Sequence, residues 1–138
     1  MYKAIYAIIL TVVLAGCVQN PKGENSMPKK QYMLASYQVK LEDQSDFLKE
    51  LLATERAYRE EGFITDKPII RMRSKIDPEF ILEIIEWVNC QAFQDVQEND
   101  RVMSHWGKLE SLWKNGGFGL DKIPESKIPW VMMDVIEP

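Results

Sequence analysis

Residues 80–88 read Phe-Ile-Leu-Glu-Ile-Ile-Glu-Trp-Val. A short run this rich in β-branched and aromatic residues predicts a strand. Alternation puts Phe80, Leu82 and Ile84 on one face and Ile81, Ile85 and Trp87 on the other. Only Glu83 and Glu86 interrupt the apolar pattern. A strand in a sheet with helices on one side and water on the other alternates apolar with polar. This one does not, so both faces of its sheet need a cover. Helices supply one. A second copy of the chain, meeting its twin across a self-complementary interface, would supply the other. The loop at residues 116–127 of the same chain is the alternative.

The flanking sequence sets the order of elements. Residues 32–41 read as a strand. Asp43 to Ser45 offer helix-start chemistry, and Phe47, Leu48, Leu51, Leu52 and Tyr58 follow at helical spacing until Gly62 stops them. Residues 68–73 form a second strand, joined to the third by an Asp77-Pro78 turn, so the two make a hairpin. Residues 92–97 read as a short helix. Asp100 caps a longer one, with Val102, Trp106, Leu109 and Trp113 on one stripe and Asn115-Gly116-Gly117 ending it. Residues 128–136 are a last strand, with Pro129 at its start or on an edge. The order β-α-β-β-α-β is a split βαβ arrangement: α+β, with a four-stranded antiparallel sheet.

The amino terminus carries an address rather than fold. Lys3 precedes an apolar run at residues 4–14, eleven residues, far short of the roughly 20 that span a bilayer. Leu14-Ala15-Gly16-Cys17 follows at once. The combination resembles a bacterial lipobox, which implies cleavage before Cys17 and diacylglycerol on its thiol. The chain then divides into a signal peptide at 1–16, a lipidated cysteine and polar tether at 17–31, and one domain at 32–138. Val18 stands where retention in the inner membrane favours Asp, so the outer membrane, facing the periplasm, is the expected address in a host that has one. With Cys17 acylated, Cys90 is the one thiol left and an internal disulfide is excluded. It is open between a buried small hydrophobe, an intermolecular bridge and a reactive thiol.

Composition removes several function classes. Net charge is −4 among 138 residues, which argues against a nucleic-acid binder held by a basic surface. One histidine and two cysteines cannot assemble an all-Cys/His zinc site, and no metal is expected. No serine sits in a nucleophile elbow. The Gly116-Gly117-Phe118-Gly119 run lacks the context and lysine of a phosphate loop.

Phe80 to Trp87 followed by Gln91-Ala92-Phe93, then Asn99-Asp100-Arg101-Val102 and Trp106-Gly107-Lys108-Leu109, carry a family likeness. Residues 32–136 resemble the dimeric α/β-barrel superfamily, in particular antibiotic-biosynthesis-monooxygenase-like domains. The resemblance implies a ferredoxin-like protomer, a homodimer closing a barrel, and a pocket between sheet and helices. It also implies two possible activities: cofactor-independent oxygenation of aromatic polyketides, and haem degradation. The haem-degrading branch uses Asn, His and Trp. Asn89, His105 and Trp106 supply those types, but the His105-Trp106 pair lies well after the third strand, so no catalytic site is carried over.

The residues themselves nominate a few positions. Glu55 is surrounded on its helical wheel by Leu48, Leu51, Leu52 and Tyr58, so it projects toward the core, where a carboxylate must be paired, hydrated or protonated. It is a general base, a partner of Arg71 or Arg73, or a side chain that reaches solvent along its stem. His105 lies about 60° from Val102 on its helix, placed as a haem ligand, a proton shuttle or a boundary side chain. Glu55, His105 and Trp106 are the catalytic candidates. Arg71 and Arg73 share one side of a strand, able to hold an anion or to pair with Glu83. Tyr37, Trp87, Trp106, Trp113 and Trp130 line a flat-ligand pocket or fill a core or dimer interface. Tyr37, Arg71, Arg73 and Trp87 are the ligand-binding candidates. The expected function is a membrane-anchored envelope lipoprotein that takes a small apolar or aromatic ligand without a resident cofactor. The alternatives are a cofactor-independent monooxygenase and a haem-binding protein.

Overall fold

A computed structural model describes residues 30–114, 122–127 and 134–136. The signal peptide, Cys17, most of the tether, Trp130 and the first part of the expected last strand lie outside the described residues. Strand β1 (Gln31–Gln38) leads through a 3₁₀ turn into helix α1 (Gln44–Glu60). Strands β2 (Ile70–Arg73) and β3 (Phe80–Trp87) form the expected hairpin. Helix α2 (Cys90–Asp95), helix α3 (Asp100–Leu112) and strand β4 (Asp134–Val135) follow. The result is α+β, a four-stranded antiparallel sheet with three helices among the described residues.

Local chemistry explains the helix limits. No side chain caps the α1 start. Instead Gln44 is buried there, and its amide donates to the Val39 carbonyl at 3.2 Å and to the Pro78 carbonyl at 2.7 Å. At the far end Gly62 has φ of 74°, a left-handed conformation that suits glycine. Gly62 N–H donates to Arg59 O and Phe63 N–H to Tyr58 O, which is a Schellman ending. Asn89 caps α2, accepting from Ala92 N–H at 2.8 Å, and Asn99 caps α3, accepting from Val102 N–H at 3.0 Å. The α3 cap is thus one residue earlier than the sequence suggests, because Asn99 has the extended backbone a cap needs.

The sheet runs β1-β3-β2-β4. β3 is central and is buried along nearly its whole length. Its helix-facing residues Ile81, Ile85 and Trp87 pack under α1 and α3, together with Phe47, Leu51 and Val102. Each such side chain, fully buried, contributes about 1.5–3 kcal/mol. On the opposite face Ile123, just ahead of the 3₁₀ turn Pro124–Lys127, packs on Phe80 and Leu82. The chain's own loop therefore covers one end of that face. At the other end Leu34, Ile84 and Ile70 form one cross-strand row, and Leu34 and Ile70 remain 48% and 47% exposed. A split βαβ order would return the last strand beside β1. Here Val135 pairs with Met72 and Asp134 with Arg73, so the described part of β4 sits on the β2 edge.

Candidate functional site

The helix-facing side of the sheet carries a polar row in an apolar field. Ala35, Glu83 and Arg71 stand side by side on β1, β3 and β2. Glu83 and Arg71 are only 2% and 7% exposed. The Glu83 carboxylate accepts from Arg71 Nε at 2.7 Å and from the Tyr37 hydroxyl at 3.1 Å. A terminal nitrogen of Arg71 donates to Glu55 at 2.9 Å, and Glu55 in turn accepts from Arg59 Nε at 3.0 Å. Arg59 also donates to the carbonyls of Thr65 and Lys67. The chain of contacts runs from the inside of the sheet to its surface. Burial pushes the Glu83 carboxyl up from its ordinary pKa, and Arg71 opposes this by favouring the charged form. Burial raises the Tyr37 phenol too, and the neighbouring Glu83 charge adds to it.

Above this row lies a cavity of about 310 Å³ between the sheet and helices α1 and α3. Met33, Leu51, Phe93, Trp106, Leu109 and Trp113 form most of its apolar lining. Tyr37 stacks on Trp113 with centroids 5.4 Å apart, which fixes one wall. Tyr37, Tyr58, Arg71 and Glu83 bring polar atoms to the lining. Trp106 Nε1–H donates to the Tyr58 hydroxyl, tying α3 to α1 across the cavity. A space of this size, mostly apolar and with a few convergent polar groups, is the ordinary form of a small-molecule site.

The sequence candidates divide among three places. Tyr37, Arg71 and Trp106 line the cavity. Trp87 lies in the core behind it, with its ring against Tyr58 and Phe93. Glu55 is on the far side of Arg71, in a groove between α1 and the β2–β4 edge. Arg73 faces Ile81 across the sheet, and its Nε has no hydrogen-bond partner among the described residues. His105 turns its Nδ1 to the Glu50 carboxylate of α1 and is not part of the cavity lining. The catalytic candidates Glu55, His105 and Trp106 therefore do not converge on one point. Tyr58 and Thr54 line the cavity but carry no separate signal, because their spacing on α1 reads as core. Glu83 had one: it is the polar residue among Ile81, Ile85 and Trp87 on a single face. Among the described residues no group of three His, Cys, Asp or Glu side chains is placed to hold a metal ion.

Cys90 requires a correction. It is disulfide-bonded, neither the buried free hydrophobe nor the reactive thiol that the sequence left open beside an intermolecular bridge. The chain has two cysteines. An intrachain bond at Cys90 would use the Cys17 sulfur, the same atom that a lipid thioether would use.

No protein-family profile matches the chain, and no curated protein matches it. Among solved structures it is similar to a conserved protein from Methanosarcina mazei Go1, with a TM-score of 0.54 at 17% identity. The similarity covers 65% of this chain and 86% of the other. At that identity the likeness concerns the fold alone and supports the α+β architecture of a small antiparallel sheet with helices.

Proposed function

We propose that this is a lipid-anchored envelope protein whose domain binds a small apolar or aromatic molecule between sheet and helices. The observation that carries the binding reading is the 310 Å³ cavity with its aromatic walls. Its volume falls within the roughly 300–1,000 Å³ of small-molecule sites. Anchoring is supported by Lys3, the apolar run and Leu14-Ala15-Gly16-Cys17. Each buried CH₂ of an acyl chain contributes about 0.8 kcal/mol, so two or three chains hold a domain firmly. Acylated Cys17 and an intrachain disulfide are exclusive states of one sulfur. In the anchored protein a disulfide at Cys90 therefore joins it to another chain.

We further propose a protomer related to the ferredoxin-like fold and to monooxygenase-like dimeric barrels, with two copies meeting sheet to sheet. The exposed row of Leu34, Ile84 and Ile70 supports this, as does an outer edge of β1 that no described strand pairs. The spread of Glu55, His105 and Trp106 over separate surroundings gives the enzyme readings no comparable support.

Native mass spectrometry of the chain, made in an exporting bacterial host and released from membranes in mild detergent, tests these points together. The expected spectrum shows a diacylglyceryl cysteine, a dimer and a small organic extra mass. An unacylated Cys17 would remove the anchor. A protein that arrives empty and stays empty through titration with naphthalene-sized aromatics would remove the ligand reading.

A further inference from the structure

The hydrogen bonds around Tyr58 are incomplete in a directed way. A phenol can donate one proton and accept two. The Tyr58 oxygen accepts from Trp106 Nε1–H. Its own proton meets no acceptor among the described residues, yet the side chain is 6% exposed and lines the cavity. A buried donor left unused carries a desolvation penalty that a partner relieves. Of the other polar groups nearest it, the Tyr37 hydroxyl and Arg71 Nε both donate to Glu83, and the Thr54 hydroxyl donates to the Glu50 carbonyl. Burial keeps the Tyr58 phenol above its ordinary pKa, so it stays a donor throughout the neutral range.

We propose that the cavity selects apolar molecules bearing one carbonyl-type oxygen, which accepts the Tyr58 proton. The inference rests on the ligand-binding reading above and adds the chemical class. Trp106 is the positioning residue. Its N–H holds the Tyr58 oxygen from one side, so the proton is aimed away from α3 and into the cavity. Donation to a carbonyl would polarise the phenol and strengthen the bond it accepts from Trp106.

The test compares 2-acetylnaphthalene with 2-ethylnaphthalene, near-isosteric and differing in the carbonyl. Each is titrated into the full chain while the indole N–H resonances are followed, with that of Trp106 assigned through Trp106→Phe. The ketone is expected to shift the Trp106 resonance strongly and the hydrocarbon weakly. The ketone-over-hydrocarbon affinity ratio is expected to fall about tenfold in Tyr58→Phe, a size typical of one well-placed hydrogen bond. Taking the ratio within each protein cancels partitioning into detergent. Equal ratios in both proteins, with both compounds bound, would overturn the proposal and leave the apolar pocket standing. No shift with either compound would overturn the pocket itself. The wild-type indole shift stands by itself if Tyr58→Phe fails to fold.

Discussion

Arg71 stands between two carboxylates, with Glu83 at 2.7 Å from its Nε and Glu55 at 2.9 Å from a terminal nitrogen. Glu83 and Arg71 are both buried, so neither charge has water to fall back on. Replacing both by well-packed apolar residues costs little, whereas removing one leaves the other stranded. Arg71→Met is therefore expected to lose about 3–5 kcal/mol at neutral pH, read from urea unfolding, while Arg71→Met combined with Glu83→Leu recovers most of it. Glu83 has a raised folded pKa, so its ionisation works against folding above the ordinary carboxyl value of 4.5. Acidification toward that value protonates it, and the Arg71→Met deficit is expected to shrink over the same window. An unchanged deficit at pH 5 would mean Glu83 stays charged. Glu86 behaves in the opposite sense. Lys67 donates to it at 2.7 Å, with Thr65 and Tyr32 nearby, and these hold its pKa down to about 2. Its contribution is present above about 4.5 and is lost as pH falls toward 2. Glu86→Gln should lower stability at neutral pH and flatten that acid limb of the profile.

Helices α1 and α3 hold the cavity open, so their ends matter more than their propensities. Asn99→Ala removes the acceptor for Val102 N–H and is expected to cost about 1 kcal/mol. Gly62→Ala forces a side chain into a left-handed position and should cost about 1–2 kcal/mol. Both are measured as shifts in urea midpoint at constant slope. A loss near zero for Gly62→Ala would mean the Schellman ending is not held in solution. These elements were legible because their signals are local. Gly62 ends a stripe, and the parity of β3 separates Ile81, Glu83 and Ile85 from their neighbours, whereas at α3 the sequence offers Asp100 as the cap, one residue after the actual Asn99. The Arg71–Glu83 pairing was one of the alternatives that the same parity left open. What was not legible is what depends on distant partners. The edge that accepts β4 is one such case, since both outer strands offer the same backbone groups. The capture of His105 by Glu50 is another, because it joins two helices whose packing no single stripe encodes. Tyr58 was hidden for a third reason: at i, i+4 and i+7 from its neighbours it reads as core, and only the cavity opposite it makes its hydroxyl distinctive.

At the scale of the molecule, the two-sided apolar character of β3 finds two covers of unequal extent. Helices cover one face, leaving the cavity between them and the sheet. On the other, Ile123 closes the end over Phe80 and Leu82 but does not reach the row of Leu34, Ile84 and Ile70. A contiguous apolar row on a sheet, beside an outer edge that no described strand pairs, is a surface that seeks a partner. A second copy would lay the same row across its own, so each contact is made twice about the two-fold axis. Leu34→Lys with Ile70→Lys places four ammonium groups in that contact and leaves the helix-facing core untouched. The double variant is expected to sediment as a monomer where the parent sediments as a dimer, with a helical signal that is retained. Dimerisation also couples stability to concentration. The parent should therefore unfold at a higher temperature as it is concentrated, and the double variant at one temperature throughout. Were the parent a monomer at micromolar concentration, the same substitutions would fall on plain surface and change stability by no more than about 0.5 kcal/mol. The exposed row would then be a tolerated patch on a domain whose loop already supplies all the cover it needs.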